Sequence, residues 1–416
     1  MADVITELLR DIPIPRMLQV RQRFDEAALT DVERAVETEL RALDLADAVR
    51  PGMRIAVTVG SRGVADIPLI AKTVVAFLRG AGAEPFIVPA MGSHGGATPE
   101  GQIGVLRSLG VTEESVGAPI QSSMAVDKIG ELANGLPIYV DHYAANADGI
   151  VVINRVKPHT AFRGPVESGL MKMLSIGLGK QKGAEACHQL GFRHMAEHVP
   201  QMARVMLAKL PILFGLASVE NAYDRVALVQ AVMPNEMEAC EIELLKQAKA
   251  LMPRICFDKI DVLVVDELGK NISGDGMDPN ITGRFPTPYA EGGPDVTKIV
   301  LFGLTPETEG NANGIGLADF TTEAVFTQMD RSKTYANGLT STVVAPTKVP
   351  MLLADKRSAL QAAVKTSNVL DYRTVRIVHI KNTLSLGQIA VSETMRDETA
   401  GNPDLEIISE PFEWEF

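Results

Sequence analysis

Only three cysteines, Cys187, Cys240 and Cys256, occur in 416 residues, and they are widely and unevenly spaced. That spacing forms neither a disulfide framework nor a Cys-x-x-Cys metal site, and it suits a reducing compartment. Positive charge is in deficit: 40 Lys and Arg against 52 Asp and Glu leave a net charge of -12. General nucleic-acid binding needs a basic surface, so no nucleic-acid partner is expected. No apolar stretch reaches the length that spans a bilayer, and the opening MADVITELLRDIPIPR lacks the basic flank and apolar run of a secretory signal. A cytoplasmic protein with no membrane partner is expected.

What is present is a large apolar fraction, 46%, in a chain longer than one hydrophobic core usually supports. Apolar, β-rich runs alternate with helical periodicity, the pattern of an α/β fold with largely parallel sheets. RIAVTV (54–59), PFIVPA (85–90), GIVVIN (149–154) and ILFGLASV (212–219) read as strands, and IPLIAKTVVAFLRGAG reads as a helix. Residues 234–252 contain no breaker beyond the opening Pro234 and read as a connecting helix. A second alternating set follows in KIDVLVVDEL (259–268), TKIVLFGL (297–304), SALQAAVKTS (358–367) and TVRIVHI (374–380). Two α/β domains, 1–255 and 256–416, are therefore expected, joined by a helical connection with the active site in the cleft between them.

Candidate chemistry collects just beyond strand ends, where open α/β sheets bind ligands. Arg62 follows the first of these strands, His94 the second and His159 the third. GSHGGATPEG (92–101) adds a glycine-rich turn and a helix start, with Thr98 as N-cap and Pro99 in the first turn, where backbone amides could hold a phosphate. Lys172 stands between Met171 and Met173 in a run that reads as core. An isolated buried ammonium costs several kcal/mol unless it is paired, neutralised or chemically used. Lys180 and Lys182, in the polar stretch GLGKQKGAE, read as solvated lysines.

Other histidines, His142, His194, His198 and His379, read as surface or satisfied core residues. HMAEH (194–198) matches the His-x-x-Glu-His zinc-protease pattern, but Pro200 two residues on is expected to break the helix that pattern needs. A further alternative is a zinc-dependent hydrolase or lyase without a nucleotide, using His94, His159 and His188 as ligands. A cofactor-free binding protein for small acids is a third class.

The run from Arg62 through AMGSHGGATPEGQ, INRVKPHTAFRG, Lys172 and His188 resembles the catalytic domain of the nickel-dependent lactate racemases and their 2-hydroxyacid racemase and epimerase relatives. The resemblance implies a nickel-pincer nucleotide (pyridinium-3,5-bisthiocarboxylic acid mononucleotide nickel) attached covalently through Lys172, with His188 as the nickel ligand. It also implies His94 and His159 as paired acid/base residues, Arg62 and Lys270 as substrate contacts, and Ser61 as a cofactor contact. The cofactor-making enzymes would be transient partners. A lysine whose nitrogen becomes part of a thioamide carries no charge, which would remove the cost of apolar surroundings. The chain departs from the family at Val59, where the lactate racemases carry an aspartate, and in a longer interval between His159 and Lys172.

Inverting C2 of a 2-hydroxy acid is easier by hydride than by proton removal, provided the hydroxyl loses its proton as the hydride leaves. Serving both enantiomers needs a base on each side, and two histidines suit that duty. Thr160, Arg163, Glu167 and Ser168 near His159, with Asn271, Ser273, Asp275, Asp278 and Asn280 beyond Lys270, favour a polyhydroxylated substrate. C2 epimerisation of a sugar acid such as gluconate is the leading expectation, with lactate or another short-chain 2-hydroxy acid as the alternative.

Overall fold

The apolar runs form two separate sheets, each built mainly from parallel strands. A computed structural model describes residues 4–45, 48–61 and 63–416; Arg62 lies outside the described residues. The chain divides into two compact units, residues 25–252 and a second made of residues 1–24 with 253–416.

The first strand, β1 (Met17–Gln22), belongs to the second unit. Within 25–252 follow β2 (Arg54–Val59), β3 (Glu84–Pro89), β4 (Val126–Glu131), β5 (Pro137–Asp141), β6 (Gly149–Arg155), β7 (Ile212–Glu220) and β8 (Val226–Val232). Five of them form a sheet in the order β3-β2-β6-β7-β8, parallel except for β8, while β4 and β5 pair as a separate antiparallel ribbon. Ile55, Val57 and Val59, with Val151, Ile153, Phe214 and Leu216, pack in one core with Val74 and Leu78 of the helix Ile67–Gly80 and with Val36 and Leu40 of the helix Val32–Ala42. The helix Met237–Leu251 packs on β7, and at Gly215 an added Cβ would meet Leu170 and Met237 within 2.8 Å. Cover by other elements on both faces explains why these strands read as continuous apolar runs rather than alternating ones.

The second unit continues with β9 (Lys259–Val265), β10 (Asp295–Leu301), β11 (Phe320–Thr322), β12 (Met351–Leu353), β13 (Ile377–Ile380), β14 (Gln388–Ser392) and β15 (Leu405–Ile407). Its sheet runs β12-β11-β10-β9-β13-β14-β1-β15, with β14, β1 and β15 antiparallel. Val262, Val264, Val300 and Ile377 share a core with Leu360 and Val364 of the helix Lys356–Lys365.

The division at 252/253 lies close to the boundary expected at 255. The first 24 residues differ: they were expected in the N-terminal domain, yet β1 fills the gap between β14 and β15. The short segment MLQVRQ buries Met17, Leu18, Val20 and Gln22, and only the backbone pairing reveals its partner.

Candidate active site

The carboxyl edge of the parallel strands in the 25–252 unit carries Ser61 just past β2, His94 past β3 and His159 past β6. The Ser61 hydroxyl lies 2.5 Å from His94 Nδ1. A hydroxyl donates or accepts, so either neutral tautomer of His94 keeps this bond. The histidine's amide donates to Met91 O at 3.1 Å, and Gln102 Nε2 donates to the carbonyls of Gly92 at 3.0 Å and His94 at 3.3 Å. Thr98 caps the helix Pro99–Ser108 by accepting from Gly101 N, as its sequence position predicts. The amides of Ala97 and Thr98 bond within the glycine-rich turn, to His94 O and Gly95 O.

His159 sits on a loop stapled by Glu167, whose side chain is 0% exposed. Glu167 accepts from His159 N at 2.7 Å, Arg163 at 3.2 Å and Lys249 at 2.7 Å. The carboxylate expected to face substrate therefore holds the loop. Ala161 N donates to His159 Nδ1 at 3.0 Å, which places the proton of the neutral ring on Nε2. The ring centroid lies 4.5 Å from that of Phe162 and 6.1 Å from that of Phe192.

Residues 170–188 form one winding segment: a helical turn Leu170–Lys172, a π-type turn Met173–Gly177, then the helix Lys180–His188. Wide turns of this type are frequent at functional sites. His188 Nδ1 lies 2.6 Å from Ala184 O; since a carbonyl only accepts, Nδ1 bears the proton and Nε2 keeps its lone pair. Burial holds its pKa below the usual value, opposed by the Ala184 bond and aided by the charge of Lys172. The ring centroid lies 5.3 Å from that of Phe192, so His159 and His188 share one aromatic neighbour. A Cβ on Gly92 would be 3.5 Å from Ala184 Cβ, which brings the His94 loop against the His188 helix.

The two lysines exchange the roles read from sequence. Lys172 is half-buried, whereas Lys180, expected in solvent, has a side chain that is 0% exposed. Lys182 is exposed as expected. The charge of Lys172 acts on His188, Cys187 and Glu241, placing all four in one neighbourhood. Burial lifts the Cys187 thiol to about 12, so it is inert as a nucleophile.

Glu241, which sequence reasoning missed, projects from the helix Met237–Leu251 and accepts from Met171 N at 2.8 Å, capping the turn that bears Lys172. Burial lifts its carboxyl to about 7. Gly169 makes room for it: an added Cβ there would lie 2.4 Å from the carboxylate carbon. An acidic residue inside an amphipathic helix gives no signal of such a role in the sequence.

The protease pattern fares differently from its expectation. The helix Met195–Lys209 runs through Pro200 without breaking, but His198 is buried with Nε2 3.0 Å from Asn134 Nδ2, and Glu197 is exposed. Among the described residues, no group of three or more His, Cys, Asp or Glu side chains is placed to hold a metal ion, and that includes the zinc set His94, His159 and His188. Lys270, in the second unit, donates to Gly274 O at 2.5 Å, and Asn271 accepts from Thr305 at 2.7 Å. Asp278 caps a short helix by accepting from Asn280 N. His142 and His379 pair with Asp127 and Asp266, as residues outside the chemistry would.

Residues 11–199 match the family model of the lactate racemase N-terminal domain. Among solved structures, the lactate racemase apoprotein from Thermoanaerobacterium thermosaccharolyticum is similar, with a TM-score of 0.50 and 12% identity over 89% of this chain and 99% of that one. At that identity the likeness is one of fold. No curated protein matches the chain. The matched span, residues 11–199, carries Ser61, His94, His159, Lys172 and His188, so all five lie in the part of the chain that is similar to a lactate racemase N-terminal domain.

Proposed function

We propose that this chain is a racemase or epimerase that inverts C2 of a 2-hydroxy acid, with a nickel-pincer nucleotide attached at Lys172 and its metal bound by His188. The observation that carries the reading is the His188 tautomer. Metal-binding histidines usually donate their second ring N–H to a carbonyl or carboxylate, and the Nδ1 bond to Ala184 leaves Nε2 as the lone-pair nitrogen. The low pKa of the buried ring keeps that lone pair available at neutral pH. Lys172, half-buried between buried methionines, combines access with apolar walls. When bound, the cofactor supplies a hydride acceptor and donor for C2.

His94 and His159 handle the hydroxyl proton. With its proton on Nδ1 and bonded to the Ser61 hydroxyl, His94 presents Nε2 as a base; the same hydroxyl supports the opposite tautomer. The neutral His159 ring presents Nε2–H while Nδ1 accepts from Ala161. For His159 to take a proton at Nε2, that Ala161 bond must open, since a protonated ring has a proton on both nitrogens. Inversion in either direction uses one ring as base and the other as acid, and a ring acting through Nε2 bears a proton on Nδ1 in both forms, so the Ala161 bond stays open during turnover. Ser61 assists His94 from the position expected to contact cofactor.

Within the class, a sugar acid such as gluconate remains our leading substrate, ahead of lactate or another short-chain 2-hydroxy acid. Glu167 and Asn271 are bonded within the chain, so the choice rests on the remaining polar residues, among them Thr160 and Ser168 beside His159. A panel of lactate, malate, 2-hydroxyglutarate and aldonates labelled with deuterium at C2, followed by NMR with cofactor-loaded enzyme, tests both levels. C2 inversion with the label retained is expected, fastest for an aldonate. Rapid washout of label contradicts hydride transfer, and preference for lactate over every aldonate contradicts the polar-substrate choice.

A further inference from the structure

Lys180 is the least expected residue in this unit. Its ammonium, 0% exposed, donates to Pro89 O at the end of β3 at 2.5 Å and to Gln102 Oε1 at 2.9 Å, and lies 3.2 Å from Asp141 Oδ2. Asp141 Oδ2 makes no aligned hydrogen bond, so the contact is an ion pair rather than a directed bond. Burial pushes the lysine pKa down and the aspartate pKa up, each opposed by the partner's charge. Lys180 also adopts a left-handed backbone, φ 53°, that disfavours residues with a Cβ.

Stability is a poor account of this arrangement, because a buried ion pair is often matched or exceeded by apolar residues of similar volume. Its geometry has a direct consequence. Gln102 is fully buried; with Oε1 facing the ammonium, its Nε2 must face the carbonyls of Gly92 and His94, and it does. Lys180 is also the first residue of the helix that ends in His188. One buried cation thus links the start of that helix, the end of β3 and the backbone of His94.

We infer that Lys180 is a positioning residue that, through Gln102, holds the His94 loop in register with the His188 helix. This rests on the proposed acid/base role of His94. The step it serves is transfer of the hydroxyl proton, so its loss slows turnover more than it weakens substrate binding.

The test uses full-length, cofactor-loaded protein carrying Lys180→Met with Asp141→Asn, so that no unpaired carboxylate is left buried, and separately Gln102→Met, which keeps the ion pair. By the cost of small misplacements of catalytic groups, each is expected to lower kcat by about 100-fold, with KM changed by less than about threefold. Combining them is expected to add little, because both act through the same bond. In unloaded protein labelled with 15N-histidine, both are expected to shift the His94 ring nitrogens and leave His379, in the second unit, unmoved. Should the lysine variant fail to fold, the Gln102 variant carries both readouts. Unchanged kcat per folded molecule with unmoved His94 signals, whatever the melting temperature, overturns the inference. Wild-type protein inactive on every 2-hydroxy acid would count against the proposed function, while the His94 signals would still decide the positioning role.

Discussion

Single residues carry the chemistry, and His188 carries the most specific statement. Its Nδ1 bond to Ala184 leaves Nε2 with the lone pair that the proposed ligand role requires, so His188→Ala is expected to lose nickel after loading while keeping its circular dichroism spectrum. Full nickel content in that variant, measured by elemental analysis, would remove the ligand assignment. Residue positions are partly legible in the sequence: His94 and His159 lie beyond the ends of β3 and β6, as the strand patterning predicts. Burial of the lysines is not. Met171 and Met173 flank Lys172 in sequence, but on a helical turn adjacent residues point in different directions, so their burial says little about the lysine between them. Lys180 lies in a polar stretch, and its partner Gln102 is 78 residues away. Glu167 misled for the same reason: a loop carboxylate looks alike in sequence whether it meets substrate or, as here, Arg163 and Lys249.

Elements decide how those residues are held. The helix Met237–Leu251 supplies Glu241, whose carboxyl rises from 4.5 to about 7 on burial. Below pH 4.5 the group is protonated in folded and unfolded chains alike and costs nothing. Between 4.5 and about 7 the unfolded chain loses the proton first, so stability falls as pH rises, by on the order of 3 kcal/mol, and then levels off. Glu241→Gln removes the charge, so its melting temperature is expected to equal wild type below pH 4.5 and exceed it increasingly up to about pH 7, where the gap levels off. A gap independent of pH would contradict a buried, ionising Glu241. Doubly covered strands such as β2 and β6 were readable to within a residue or two because burial on both faces leaves an unbroken apolar run. The half-exposed β4, VDKIGE, carries no such run. Proline ordinarily breaks a helix, yet the helix Met195–Lys209 accommodates Pro200, which has no N–H to donate to Ala196.

At the scale of the molecule, two α/β units and the division near residue 252 follow from the alternation of strand and helix signals. The transfer of residues 1–24 to the second unit does not, since strand patterning sets which face is buried but not which distant strand is the partner. The similarity to a lactate racemase N-terminal domain covers residues 11–199, and the proposed site residues other than Lys270 lie within that span. Everything proposed about activity depends on Lys172 serving as a point of covalent attachment. The most direct measurement is peptide mass mapping of the chain after expression with the cofactor-making enzymes. A nucleotide adduct on Lys172, with Lys180 and Lys182 unmodified and about one nickel per chain, is the predicted result; a fully active sample with unmodified Lys172 would contradict it.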